Sequence, residues 1–301
     1  MKRIGLRRAR LLLVVWMGAA LALQGCASPE PVVRLTASIY PVYCMLKQLT
    51  KGVERVSVQC LATINAGCAH DYQITSADRK LLADSALIAM NGAGMEPYLE
   101  PLVEGLQAKI VRTAAGLELL PGDGHDGEYN PHTWLNPLYA AKQSNALAEE
   151  LERLLPDQAG VIERNRVEAE GRYIGLDEEM RVALGAFKGK PIVTFHSAFE
   201  YFAMGCGLTV AATLTSDPHA SPSGRALSKV VDIVRDEGIS TIFAERESDL
   251  TSAQTVARET GAKLGFLDTA AYPMVDVEDT EVYFKAMRSN VKALVDAFDG
   301  Q

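Results

Sequence analysis

Short β-branched or apolar runs recur along the chain, each closed by polar, Gly or Pro residues, and helical patterns separate most of them. In the first half they fall at residues 33–40, 53–61, 85–91 and 109–113. In the second half they fall at 191–196, 209–215, 241–245 and 263–268. Amphipathic stretches at 42–50, 76–84, 224–237 and 252–260 lie between them. Continuous apolar strands are covered on both faces, and strand–helix alternation joins them in parallel. The expected class is α/β: two similar lobes, each a mainly parallel four-stranded sheet with flanking helices. No sequence repeat marks a duplication.

The pattern changes between the lobes. Residues 138–155 read as a helix with Leu147, Leu151, Leu154 and Leu155 on its apolar side, and Pro156 suits the first turn of the next. Residues 157–184 contain no Pro and three Gly: Gly160 near the start, then Gly171 and Gly175. About 28 residues of helix would span about 42 Å, enough to reach from lobe to lobe. The alternative is two helices with a break near Gly175. An unbroken helical linker would resist a wide hinge.

The N-terminus is set apart. Its first 25 residues carry Lys2, Arg3, Arg7, Arg8 and Arg10 and no acid. The apolar run at 11–23 is too short for the roughly 20 residues that span a bilayer, and reads as an export signal. It ends Leu23-Gln24-Gly25-Cys26, which resembles the lipobox of bacterial lipoproteins; that resemblance implies cleavage before Cys26 and diacylation of its sulfur. The expected layout is signal peptide 1–25, tether 26–32, N-terminal lobe 33–156, linker helix 157–187 and C-terminal lobe 188–301. The product would be exported and lipid-anchored to the bacterial envelope, in the periplasm or on the outer face of the cell membrane.

Charge narrows the partners. The 301-residue chain has a formal net charge of −8, and losing five cations with the signal would take it to −13. An acidic chain offers no basic face for phosphates, so no nucleic-acid partner is expected. Nothing calls for an obligate dimer, and a monomer is expected. Cys44, Cys60, Cys68 and Cys206 remain after Cys26 and allow three full pairings, between which sequence does not choose. Cys60 and Cys68 flank one loop and form the favoured pair. No Cys-x-x-Cys supports a redox site or a cysteine zinc knuckle.

The chain has five His: His70, His125, His132, His196 and His219. His70 follows the second run, His132 follows the fourth, His196 ends the first run of the second half, and Asp268 ends its last. Ligands of open α/β sheets bind at the carboxyl ends of strands, and facing lobes would bring these four together. Three imidazoles and a carboxylate suit a borderline divalent cation. On spacing alone, a His at a strand end is more often a hydrogen-bonded core or loop residue than a ligand.

The segments resemble, over nearly the whole mature chain, the zinc/manganese-type (cluster A-I) solute-binding lipoproteins of bacterial ABC importers. The markers are Ile39-Tyr40-Pro41, His70-Asp71-Tyr72, Asn91-Gly92-Ala93-Gly94-Met95-Glu96, Pro131-His132-Thr133-Trp134-Leu135-Asn136-Pro137, His196-Ser197-Ala198-Phe199-Glu200-Tyr201-Phe202 and Glu259-Thr260-Gly261-Ala262-Lys263. The resemblance implies a metal held between two α/β lobes by His70, His132, His196 and Asp268, and delivery to an ABC importer permease. His at the third ligand position leans to Zn2+, with Mn2+ as the alternative, because a third imidazole softens the site. The chain departs from the family at Ala69 and Thr269, where Pro is usual, and at Asn130, where Asp is usual. Glu245 is expected behind the ligands or as an alternative carboxylate. The short 122–128 segment, with His125 and Asp126, is either a weak recruiter of metal or a solvated turn. Trp134 and Tyr72 are expected to pack the cleft walls, and His219 to be an ordinary loop residue.

Two other functions fit parts of this pattern. An exported zinc hydrolase would use an open metal position with Glu245 as general base, yet His-Glu-x-x-His and Gly-x-Ser-x-Gly are both absent. A surface adhesin with a structural metal would unfold when stripped. A carrier is expected to fold without metal, each lobe having its own core.

Overall fold

The first half runs β1 (Val33–Ala37), α1 (Tyr40–Leu49), β2 (Val56–Cys60), α2 (Ser76–Ala83), β3 (Leu87–Met90), the single turn α3 (Glu100–Val103) and β4 (Lys109–Arg112). Helices α4 (Pro137–Leu154) and α5 (Ala159–Leu184) follow. The second half runs β5 (Pro191–His196), α6 (Glu200–Cys206), β6 (Thr209–Thr215), α7 (Gly224–Asp236), β7 (Thr241–Ala244), α8 (Thr251–Thr260), β8 (Lys263–Phe266) and α9 (Val282–Asp299). This computed structural model describes residues 32–61, 72–122, 128–215, 222–246, 250–272 and 279–300. Cys26, Cys68, His70, His125, Asp126 and His219 lie outside the described residues, as do the expectations attached to them. Among the described residues, no helix is long and apolar enough to cross a membrane.

The strands form two four-stranded sheets, ordered β2-β1-β3-β4 and β6-β5-β7-β8, and every pairing is parallel. The expected class is met, with one strand order used twice. β3 and β7 each lie inside their sheet and are buried at every position, which is why they read as unbroken apolar runs. Local chemistry sets the ends. Tyr40, counted with the first strand run, instead opens α1, because Pro41 pre-sets the helical φ at the first turn. Thr75 and Asp78 close a capping box on α2, and Tyr72 donates to the same Asp78 oxygen at 3.0 Å.

Helix α5 has 26 residues, about 39 Å of helix, and continues through Gly171 and Gly175 without a break. Its buried stripe, Ile162, Ala169, Tyr173, Leu176, Met180 and Leu184, keeps helical spacing past both glycines. Asn165 donates to the carbonyls of Leu49 and Lys51, each at 2.8 Å, which ties α5 to the end of α1. Further along, Arg172 pairs with Glu281 at 2.6 Å and stacks over the Phe284 ring, and Glu179 pairs with Arg288 at 2.7 Å. One helix is thereby fastened to elements of both halves.

The core departs from expectation. Separate cores were expected, but α1, α4, α5, α6 and α9 pour their inner faces into one continuous apolar cluster that runs from Leu35 and Tyr40 to Phe202 and Phe284. Only the outer faces keep their own, around Ile88, Met90 and Leu99 in the first half and Val193, Phe195 and Val230 in the second. Residues 33–301 accordingly form one compact unit. Cys44 and Cys206 are buried here, burial pushing each thiol up to about 12, and no disulfide joins Cys44, Cys60 and Cys206.

Candidate metal centre

His196 is the last residue of β5, and parallel pairing sets Thr194 beside Phe243 of β7. Two residues further along both strands, the His196 ring meets Glu245, with Nδ1 and Oε1 3.1 Å apart. Both side chains are buried. A carboxylate only accepts, so Nδ1 carries the proton and Nε2 keeps its lone pair. A carboxylate behind an imidazole also raises its donor strength toward a metal.

His132 reaches the same place by another route. It lies in the connection between β4 and α4, just before the 3₁₀ turn Thr133–Leu135. Asn130 Oδ1 accepts both the backbone N–H of His132, at 3.0 Å, and its ring Nδ1–H, at 3.0 Å. His132 Nε2 therefore also keeps its lone pair. The two rings stand edge to face, centroids 4.9 Å apart at 86°.

A buried polar framework holds this loop. Asn91, at the end of β3, donates to the carbonyl of Pro131 at 2.8 Å and accepts from the Thr133 hydroxyl at 3.3 Å and from Gln143 at 3.0 Å. Glu96, wholly inside, accepts the Ser38 hydroxyl at 2.5 Å and the backbone N–H groups of Asn91 and Gly92 at 2.7 and 2.9 Å. Burial pushes its carboxyl up to about 7 against the pull of those three donors. Gly92, Ala93 and Gly94 all take positive φ to wrap around it. Asn136 caps α4 by accepting from the N–H groups of Leu138 and Tyr139 at 3.0 and 3.3 Å.

Asp268 lies two residues past β8. Asn290 of α9 holds its backbone from both sides, accepting its N–H and donating to its carbonyl, each at 2.8 Å. Burial raises the Asp268 carboxyl; the Ala270 N–H and Arg246 pull it down, and the Glu245 charge raises it further. Trp134, expected on the cleft wall, is buried and donates through Nε1 to the Thr269 carbonyl at 2.8 Å, beside Asp268. His132 and His196 are thus brought together, with Glu245 against His196 and Asp268 within the electrostatic reach of Glu245. Among the described residues, no three His, Cys, Asp or Glu converge closely enough to hold an ion. His70 lies outside those residues. Asn91, Glu96 and Asn290 do not emerge from sequence reasoning as site residues; the run Asn91-Gly92-Ala93-Gly94-Met95-Glu96 was the available signal for the first two.

The chain is 28% identical to the zinc-binding lipoprotein AdcA of Streptococcus pneumoniae over 99% of its length. It spans 62% of that relative's own length. The Zn(II)-bound crystal structure of AdcA matches with a TM-score of 0.76 at 27% identity, over 90% of this chain and 58% of that one. The high-affinity zinc uptake system protein ZnuA of Bacillus subtilis is 26% identical over 96% of this chain and 95% of its own. The laminin-binding protein Lmb of Streptococcus agalactiae, described as having adhesin and metal-transporting activity, matches with a TM-score of 0.76 at 25% identity, over 88% of this chain and 99% of that one. With a family model covering residues 35–297, and two parallel sheets between which a strand-end imidazole meets a loop-borne one edge to face, the chain belongs to the zinc-uptake complex component A periplasmic family.

Proposed function

We propose that this protein is an extracytoplasmic receptor, not an enzyme, that captures Zn2+ between its two halves and delivers it to an ABC importer permease. His70, His132, His196 and Asp268 are the ligands in this reading. The observation that carries it is the pair of buried imidazoles packed edge to face, each with Nδ1 facing an oxygen, so that Nε2 is the unprotonated, metal-ligating nitrogen of both rings. Three neutral imidazoles and one carboxylate would close a tetrahedral zinc site with no position left for reactive water. Glu245 is engaged with His196 Nδ1, which fits a ligand-orienting role better than that of a hydrolase base. Mn2+ is the competing cargo, disfavoured by this ligand set because it prefers more oxygen.

Several finer points belong to the same proposal. Residues 1–25 are a signal peptide, Cys26 carries the lipid anchor, and 26–32 tether the receptor near its permease as a monomer. Residues 157–187 are the strut between the 33–156 and 188–301 lobes. The fastening of α5 to α1, α6 and α9 supports that role.

The test uses the soluble protein starting after Cys26, stripped of metal and offered zinc and manganese together, with bound metal read by elemental mass spectrometry. One equivalent of zinc, lost in His196→Ala, is the expected result. Preferential manganese would keep the carrier role and overturn the choice of cargo. No bound metal in the unmutated protein would overturn the receptor reading.

A further inference from the structure

The Asn130 carboxamide is 3% exposed and uses both of its edges. Its Oδ1 faces His132, accepting the backbone and ring N–H groups. Its Nδ2 crosses to the second half, donating to the Ser197 carbonyl at 2.8 Å and to Glu200 Oε2 at 3.0 Å. The backbone is held as well: its N–H donates to the Leu120 carbonyl at 2.9 Å, and its carbonyl accepts the Tyr201 hydroxyl at 3.0 Å. Ser197 adjoins His196. One side chain therefore fixes the ring of His132 and grips the peptide next to His196.

Two acceptors face the outer edge of residue 130, a carbonyl and a carboxylate. A carboxylate there would meet both with lone pairs and no proton to share. It would also set a second negative charge against the part-buried Glu200. An amide is the isostere that accepts on one edge and donates on the other.

We propose that Asn130 and Glu200 are a matched positioning pair that holds His132 and His196 in register for the metal. This rests on the reading of both histidines as zinc ligands. The pair leaves the two imidazoles unequal. His196 is backed by a carboxylate, and His132 by a neutral amide whose charge partner lies one bond further out.

The test is a double-mutant cycle on the soluble, metal-stripped protein. Zinc affinity is read by competition with a chromogenic chelator, and apo melting is followed in parallel. Asn130→Asp keeps an acceptor for His132 but loses the donor edge to Ser197 and Glu200, and should weaken zinc binding by about 10–100-fold, the usual cost of disturbing a group that orients a ligand. Glu200→Gln alone should cost less, because its Oε1 still accepts from Asn130. Combined with Asn130→Asp, Glu200→Gln should recover part of the loss, since the Gln amide can donate to the new carboxylate while the Ser197 carbonyl stays without its donor. A merely structural change would add the two losses instead. Affinity unchanged in Asn130→Asp, or no recovery in the double variant, would overturn the pair while leaving the receptor standing. If Asn130→Asp fails to fold, restored melting in the double variant supports the same pairing and its absence overturns it. An unmutated protein that takes up no zinc would overturn both readings together.

Discussion

The two sheets share one strand order but present their metal-facing groups by different means. In the second half, His196 ends β5 and Glu245 directly follows β7, so the β5–β7 pairing carries the two side chains to one edge, where they meet. Asp268 stands just past β8, with its backbone held by Asn290. In the first half, His132 lies twenty residues past the end of β4, on a segment that pairs with no strand of either sheet. Asn91, Asn130 and the Glu96 knot replace the ladder. A strand-borne group is placed by backbone pairing that any apolar sequence can supply. A loop-borne group needs particular buried polar side chains, each of which costs stability if left unpaired.

The largest effect should come from breaking the strand side outright. His196→Ala should abolish stoichiometric zinc uptake, read by elemental mass spectrometry, while the apo fold persists on its shared core.

The next lies on the loop side and concerns pH. The Glu96 carboxyl is held near 7, above its ordinary range around 4.5. A raised acid stabilises the fold fully below its ordinary value and loses that contribution as pH rises toward 7. This group should therefore destabilise the apo protein by about 3 kcal/mol between pH 4.5 and 8. Melting curves across that range should show a flatter profile for Glu96→Gln than for the unmutated protein.

Glu245→Gln sharpens the contrast from the strand side. It keeps an acceptor for His196 Nδ1 and removes the charge, so zinc affinity should fall about 10–100-fold with little change in melting. Chelator competition measures the first and calorimetry the second. The smallest effect is expected for Trp134→Phe, which removes one neutral hydrogen bond to Thr269. About 1 kcal/mol of stability should be lost, with faster zinc release in stopped-flow chelation.

Legibility followed the same division. Strands β5 and β6 match their sequence-expected bounds end to end, because Pro191 opens one and Gly207 precedes the other. The long helix was legible as a single run, although glycines left a break open; the buried Tyr173 and Leu176 on either side of Gly175 explain why none occurs. The shared core was not legible, because an amphipathic pattern tells which face is buried and not against what. Nor were Asn91, Glu96 and Asn290, which act on backbone atoms of distant residues. Asn130 was visible only as a departure from a family pattern, and its partner Glu200 sits in another marker seventy residues away.

The shared inner core has a thermodynamic consequence. Opening the halves like a book would hydrate Tyr173, Phe202, Phe284 and their neighbours, and hydrating apolar surface raises heat capacity. If the halves stay closed around that core, zinc uptake transfers almost no apolar area into or out of water. Its enthalpy should then be nearly constant with temperature, apart from the heats of the protons the ligands release.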